Sequence, residues 1–238
     1  MCGRFVISDT HPDLVALFDV DIVGETLPEP SWNVRPTDQV RIVLESNKGG
    51  PAVRRLESAR WSLVPPFATE LASRFPTFNA RSEDVAEKAS FQSSVVSRRA
   101  IIPASGYIEW HTVGEAKTPY FVHAPDDGVL AIAGLYSWWR DPQKADTDPT
   151  RWVLSATILT AEASGRPADL HHRTPVVLPD FTWDSWLDPD EEADQEFVDA
   201  AVDASRPTME ELEFHEIAPV TGNAPAVVEP AMIPVGTL

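Results

Sequence analysis

Cysteine is nearly absent from the 238-residue chain, whose one thiol is Cys2. A single cysteine excludes an internal disulfide and a cysteine-rich zinc cage. No hydrophobic run approaches the roughly 18 residues of a membrane-spanning helix, and the first residues lack the basic and apolar layout of a secretion signal. We therefore expect a soluble, cytoplasmic protein that has no membrane partner.

Positive charge is also in short supply, since 19 basic residues face 37 acidic ones and the net charge is −18. Residues 1–125 hold 13 basic and 15 acidic residues, a net −2, whereas residues 126–238 hold 6 and 22, a net −16. Such a balance argues against indiscriminate binding to nucleic acid. The first half is still compatible with a polyanionic ligand, because Arg outnumbers Lys 15 to 4 in the chain and forms bidentate phosphate contacts. Within 180–216, 14 acidic residues accompany Arg206 alone, and we interpret this segment as a solvated surface.

Internal repeats and low-complexity linkers are absent, and 22 prolines are spread along the chain, which favours short strands and structured loops. Apolar runs and alternating patterns predict strands over 40–44, 53–63, 100–103, 107–110, 119–123, 129–136, 152–159 and 215–218. Capping residues and acidic amphipathic patterns predict short helices over 12–18, 83–91, 180–187 and 190–204. The expected fold class is α+β, as one strand-rich domain over residues 1–238 with an acidic helical segment at about 180–216.

Cys2 follows Met1, and its side chain is small enough for that methionine to be removed after synthesis. Removal would leave an α-amine and a thiol on one residue. The amine condenses with an aldehyde to an imine, and the sulfur then closes on the imine carbon to give a five-membered thiazolidine. The residue could instead attack amides as an N-terminal nucleophile, with its own amine as the base, or it could be an ordinary residue of a frayed terminus.

Other polar residues could likewise have either a catalytic or a purely structural role. Glu109 lies in an apolar strand flanked by aromatic residues, where it could perform acid–base work or face solvent at a sheet edge. His171 and His172 precede Arg173, and either could shuttle protons or stabilise an imine, or simply lie at the surface. No HxxxH spacing and no cysteine pair occurs in the sequence, so we expect neither a metal site nor a cofactor.

Two further groups could bind a nucleic acid. Asn79 and Arg81 could orient a substrate and hold a phosphate. Trp61, Pro65 and Phe67 could stack against an unpaired base. Taken singly, residues of these types belong more often to the core or the surface than to a binding site.

The order of the motifs is more specific than any one of them. They occupy Met1–Phe5, Trp32–Thr37, Arg60–Pro65, Phe78–Glu83, Arg98–Trp110, Pro119–Phe121, Ala133–Leu135, Thr160–Ala163, His171–Val176 and Val220–Asn223. In this order the segments resemble the SRAP family, the SOS response-associated peptidases or abasic-site processing proteins. The likeness covers most of the chain, and it implies a curved, barrel-like mixed sheet with a groove for DNA.

The resemblance also implies a function. Family members bind single-stranded DNA that bears an abasic site, and the N-terminal cysteine captures the ring-opened sugar as a thiazolidine crosslink. By position, Cys2 would be the nucleophile, and Asn79 would hold and polarise it. Glu109 would act as general acid and base, also in crosslink reversal, and His171 would stabilise the imine and support strand cleavage. The residues implied in DNA binding are Arg4, Asn33, Trp61, Pro65, Phe67, Arg81 and Arg173.

The resemblance further implies self-removal of Met1, hence the name peptidase, and a nucleoid location when the protein is bound to DNA. We expect a monomer. Several positions depart from the family pattern: His172 replaces the usual Asp after the histidine, Thr174 replaces a usual Met, and Phe67 replaces a usual Trp. The substitution at His172 leaves two candidate histidines, of which His171 is favoured by its place before Arg173. The alternatives are an N-terminal-cysteine amidohydrolase and a non-covalent single-strand binding module.

Overall fold

In the computed structural model, which describes residues 3–72 and 75–231, the chain forms thirteen strands and four α-helices. The strands are β1 (Phe5–Ile7), β2 (Ile22–Val23), β3 (Ser31–Val34), β4 (Gln39–Ser46), β5 (Val53–Trp61), β6 (Asn79–Arg81), β7 (Arg99–Ala104), β8 (Gly106–Val113), β9 (Ala116–His123), β10 (Leu130–Arg140), β11 (Trp152–Glu162), β12 (Arg173–Pro175) and β13 (Glu213–Glu216). The helices are α1 (His11–Leu17), α2 (Gln92–Val95), α3 (Trp183–Leu187) and α4 (Gln195–Glu210). Short 3-10 turns occupy Ser82–Asp84, Arg166–Asp169, Asp180–Thr182 and Pro225–Val227.

Five of the strands close into a mixed barrel. Antiparallel pairs join β5 to β4, β4 to β7, β7 to β10 and β10 to β11. A short parallel contact between β11 and β5 completes the ring, with Arg60 opposite Ser155 and Trp61 opposite Ala156. The strands β2, β6 and β12 extend this sheet, and a second, antiparallel sheet has the order β13-β9-β8-β1-β3. The prediction of a strand-rich α+β fold with a curved, barrel-like mixed sheet is confirmed.

The main core fills the barrel and the space between the two sheets. Every residue of β7 is buried, which explains why its sequence is apolar rather than alternating. The indole of Trp61, at the end of β5, stacks on the ring of Phe5 in β1 with centroids 4.0 Å apart. This stacked pair ties the first strand of the second sheet to the barrel.

A buried arginine fixes the helices against the barrel. The Arg99 guanidinium, at the start of β7, donates hydrogen bonds of 2.6–2.9 Å to five backbone carbonyls, those of Val95, Val96, Trp186, Asp188 and Glu191. Its five N–H donors make these contacts in a fork geometry that only arginine offers. Burial lowers the pKa of Arg99. The side chain therefore joins β7 to α2, to α3 and to the acidic loop that precedes α4.

Most predicted strands and the first helix are confirmed, and three predictions need correction. The expected helix over 83–91 is a 3-10 turn (Ser82–Asp84) followed by irregular chain and by α2. The expected helix over 190–204 begins at Gln195 and continues to Glu210. The last predicted strand, 215–218, lies two residues earlier, at Glu213–Glu216.

Candidate active site

One face of β8 carries three polar side chains, and this face lies against the chain segment that leads into β12. Alternate residues of a strand project to the same side, so Tyr107, Glu109 and His111 share a face. The Tyr107 hydroxyl lies 3.1 Å from Oγ1 of Thr174, and Nδ1 of His111 lies 3.3 Å from the carbonyl oxygen of Leu170. The segment 170–174 therefore covers this face, and Glu109 lies between the two contacts.

Glu109 is a buried carboxylate, with 4% of its surface exposed. Its Oε1 accepts a hydrogen bond of 3.2 Å from the backbone N–H of Trp110. The alternative in which this side chain faces solvent at a sheet edge is therefore wrong. A buried carboxylate of this kind is a candidate general acid or base.

His171 interacts electrostatically with Glu109. Its Nδ1 lies 2.9 Å from the backbone nitrogen of Arg173, which donates to it, and 3.3 Å from the Arg173 carbonyl oxygen. The shorter contact favours a neutral ring that carries its proton on Nε2. Burial lowers the pKa of His171, while the negative charge of Glu109 acts in the opposite direction and the neighbouring His172 adds to the lowering. His172 is exposed and stacks on the His171 ring with centroids 4.2 Å apart. The lowered pKa favours the uncharged imidazole.

The first described residues of the chain run beside Glu109. Phe5 pairs with Tyr107 in an antiparallel register, and the Ile108 N–H donates to the Arg4 carbonyl oxygen at 3.0 Å. Continuing this register by two residues sets Gly3 opposite Glu109. Cys2, the predicted nucleophile, lies outside the described residues.

Asn79 begins β6, which runs parallel to β11 with Asn79 opposite Ile158. The carbonyl oxygen of the preceding residue, Phe78, accepts a hydrogen bond of 2.8 Å from Nε1 of Trp61. Because the Trp61 ring also stacks on Phe5, one side chain joins the start of β6 to the start of the chain. Asn79 is half-buried and Arg81, two residues later, is exposed.

Three of the residues predicted to bind DNA lie mainly in the interior. Trp61 is fully buried, and its ring packs against Phe5 and Phe78, so it has no exposed surface for a base in this structure. Pro65 is buried as well. Asn33 is buried and donates through Nδ2 to the Gly222 carbonyl oxygen at 2.7 Å, which makes it a tether for the last described segment. Phe67, by contrast, is 66% exposed.

The three predicted phosphate-binding arginines differ in their surroundings. The Arg4 side chain lies on the face of β8 opposite to Glu109, with its guanidinium 5.9 Å from the Trp110 ring centroid. Burial lowers the pKa of Arg4, and the nearby positive charge of Arg35 lowers it further. Arg81 is exposed. Arg173 is held by the protein itself: its guanidinium grips both carboxylate oxygens of Glu83 and the Thr160 carbonyl oxygen.

Arg35 was not predicted as a DNA-binding residue. It is exposed and electrostatically coupled to Arg4, so the two form a pair of positive charges at the start of β1. Its place in the Trp32–Thr37 motif was the available signal.

Within residues 3–72 and 75–231, no three His, Cys, Asp or Glu side chains are arranged to hold a metal ion. In the same ranges no helix has the length and apolar character needed to cross a membrane.

The sequence of this chain matches those of known proteins. Residues 1–224 match the model of the SOS response associated peptidase (SRAP) family. Abasic site processing protein YoqW of Bacillus subtilis is 33% identical over 194 residues, which cover 79% of this chain and 81% of the relative. Abasic site processing protein YedK of Escherichia coli is 29% identical over 191 residues, 79% of each chain. The chain belongs to the SRAP family.

A solved structure supports the fold independently. A protein from Bacteroides thetaiotaomicron superposes with a TM-score of 0.78, over 97% of this chain and 100% of that one, at 20% sequence identity. This likeness establishes the barrel architecture, and the function rests on other observations.

Proposed function

We propose that this protein processes abasic sites in single-stranded DNA and captures the ring-opened sugar aldehyde covalently through Cys2. The observation that carries the proposal is the register of β1 on β8, whose continuation sets Gly3 opposite the buried Glu109. Consecutive Cα atoms of a chain are about 3.8 Å apart, so the residue bonded to Gly3 is also close to this position. Relatives named abasic site processing proteins support the substrate.

The proposed capture balances as a condensation followed by an addition. The α-amine of Cys2 attacks the aldehyde carbon, and one water leaves as the imine forms. The thiol sulfur then bonds to the imine carbon while its proton passes to the nitrogen, which closes the thiazolidine without further loss of mass. This chemistry requires that Met1 has been removed, because an acylated amine forms no imine.

Each site residue has a proposed task in these steps. Glu109 takes a proton from the attacking amine and returns it to the departing hydroxyl. The same carboxyl group also acts as acid and base when the sugar ring opens and when the crosslink is reversed. His171 donates from Nε2 to an oxygen of the opened sugar at the imine stage. The Asn79 amide holds and polarises the Cys2 side chain. Strand cleavage by β-elimination and self-removal of Met1 are further proposed activities of the same site.

Single-stranded DNA fits the cationic and aromatic side chains of this protein better than a duplex does. Arg4, Arg35 and Arg81 supply positive charge for the backbone, and the exposed ring of Phe67 is available to an unpaired base. Stacking of bases on aromatic rings beside cationic side chains is the usual mode of single-strand binding.

The test is the rate of a denaturant-stable adduct with an oligonucleotide that carries one abasic site, followed on a denaturing gel. We expect Glu109→Gln and His171→Asn to slow adduct formation about 10²-fold, the lower end of the usual contribution of general acid–base groups. The matched controls are Glu115→Gln, an exposed acid in the β8–β9 turn, and His172→Asn on the exposed neighbour of His171. Equal rates in the site variants and their controls would refute the assigned roles.

The same gel separates the alternatives. Equal affinity for intact and abasic strands, with no adduct, would favour a non-covalent binding module. Release of ammonia from glutamine, again with no adduct, would favour an N-terminal-cysteine amidohydrolase.

A further inference from the structure

The Arg173 side chain is engaged inside the protein rather than offered to solvent. Only 10% of this side chain is exposed. Its Nη2 lies 2.9 Å from Oε2 of Glu83, while Nη1 contacts the other carboxylate oxygen. Such a bidentate pair is the strongest common arginine–carboxylate geometry. A phosphate would have to displace Glu83 before it could take the same position.

This one guanidinium joins three elements. Glu83 lies in the 3-10 turn directly after β6, Thr160 lies in β11, and Arg173 begins β12. The Thr160 carbonyl oxygen accepts from the Arg173 Nη2, and the Thr160 hydroxyl lies 3.3 Å from the carbonyl oxygen of Ala80 in β6. The contacts therefore fix β12 relative to the strand that carries Asn79.

The backbone of the same arginine sets the state of His171. The Arg173 N–H donates to Nδ1 of His171 at 2.9 Å, and the Arg173 carbonyl oxygen lies 3.3 Å from the same nitrogen. The position of residue 173 therefore decides which of the two contacts is made. When that donor is in place, the proton of a neutral ring lies on Nε2. When it is lost, both neutral tautomers become accessible, and the nitrogen that donates toward the site is no longer defined.

We propose that Glu83 and Arg173 are positioning residues that hold His171 in its Nε2-protonated tautomer. This inference rests on the proposed function, but the tautomer of His171 can be measured without it. The pair is an ion pair at neutral pH: burial of Glu83 would raise its pKa, yet the hydrogen bond and charge of Arg173 and the charge of Arg81 outweigh this and lower the pKa.

The experiment compares wild type with Glu83→Gln, which keeps the side-chain size and removes the charge, and with Arg173→Lys, which keeps the charge and removes the fork. Glu87→Gln, an exposed acid one turn later, is the matched control. Nitrogen-15 NMR of the histidine rings reports the tautomer of His171, and His171→Asn assigns its signals. Adduct formation with the abasic oligonucleotide is measured from pH 5 to 8 in the same variants.

We expect one tautomer in wild type and in Glu87→Gln, and a mixture of tautomers in Glu83→Gln and Arg173→Lys. Adduct formation should be about tenfold slower in these two variants, as for the loss of a charge-assisted hydrogen bond, with a shifted pH profile. An unchanged tautomer in both would overturn the proposal, even if DNA affinity fell. Failure of wild type to form any adduct would refute the proposed function, and the NMR result would still decide the positioning role. Should Glu83→Gln unfold, Arg173→Lys alone carries the decision.

Discussion

The indole ring of Trp61 lies between Phe5 and Phe78 and donates from Nε1 to the Phe78 carbonyl oxygen at 2.8 Å. One side chain thus supports both the first strand and the strand of Asn79. Removal of this ring would leave a cavity that the closed barrel cannot fill.

We therefore predict that Trp61→Ala lowers the free energy of unfolding by about 3–5 kcal/mol, the usual cost of truncating a buried Trp. Urea denaturation measures the change. Trp152→Ala is the matched control, because 46% of that side chain is exposed and such surface changes stay within about 0.5 kcal/mol. Equal losses in the two variants would contradict the packing role of Trp61.

The ion pair of Glu83 with Arg173 predicts a pH dependence of stability. The pKa of Glu83 is lowered in the folded state, so the folded protein binds fewer protons than the unfolded chain between the two pKa values, and stability rises with pH there. The stabilisation is fully present above about pH 4.3, the ordinary value of a glutamate, and it is lost as pH falls through the lower folded value. The difference in unfolding free energy between wild type and Glu83→Gln should therefore shrink on acidification from pH 6 to pH 3. A difference that stays constant over this range would contradict the prediction.

At the scale of single residues, sequence reasoning identified Glu109 from its apolar, aromatic surroundings, and the structure confirms that it is buried. The same reasoning did not anticipate that Trp61 is fully buried or that Arg173 is paired with Glu83. A tryptophan that could stack on a base and one that fills a core have the same local sequence, and only the closure of β5 on β11 decides between them. The partner of Arg173, Glu83, is 90 residues away in the chain.

Among the secondary-structure elements, α4 carries much of the acidic segment and has a defined start. The Asp194 carboxylate accepts a hydrogen bond of 3.0 Å from the Phe197 N–H, as an N-cap residue does. We predict that Asp194→Ala destabilises the protein by about 0.5–2 kcal/mol, measured by thermal unfolding followed by circular dichroism. Glu192→Ala, an exposed acid outside the helix, should have little effect. A larger loss in Glu192→Ala than in Asp194→Ala would refute the cap.

The boundaries of the helices escaped prediction for physical reasons. The helix expected after Ser82 does not form because Gln195 takes its backbone groups: Nε2 donates to the Ser82 carbonyl oxygen at 2.6 Å, and Oε1 accepts from the Ala86 N–H at 3.1 Å. The helix expected to end at residue 204 continues through Pro207, whose ring nitrogen cannot donate a backbone hydrogen bond. The buried face formed by Val198, Val202, Ser205 and Met209 continues past it at helical spacing, so packing outweighs the lost hydrogen bond.

The whole molecule separates its charge. The acidic half contributes to a cleft of about 490 Å³ between the barrel and the helices, whose lining includes Asp19, Asp21, Glu45, Asp184, Asp188 and Asp190 around Arg54. Arg4 and Arg35 instead lie near the start of β1, and Arg81 lies at the end of β6. We expect a DNA strand to bind along the arginine face, because the acidic face repels its phosphates.

The arginine face predicts a defined salt dependence. With three phosphates neutralised, log affinity for a single strand should fall against log salt with a slope of about −2, at about −0.7 per phosphate. Arg81→Gln should reduce the slope by about 0.7, while Arg206→Gln on the acidic α4 should leave it unchanged. Fluorescence anisotropy with an intact oligonucleotide at several salt concentrations gives the slope. A flat dependence would contradict binding through these arginines.

Covalent capture is the central claim, and intact mass spectrometry tests it most directly. The protein alone is weighed first, to establish that Met1 is absent, and is then mixed with an oligonucleotide that bears one abasic site. We predict a species equal to protein plus oligonucleotide less one water, resistant to heat and denaturant, mapped to the N-terminal peptide and missing in Cys2→Ala. Full adduct formation by Cys2→Ala, or no adduct from protein that has lost Met1, would contradict the account.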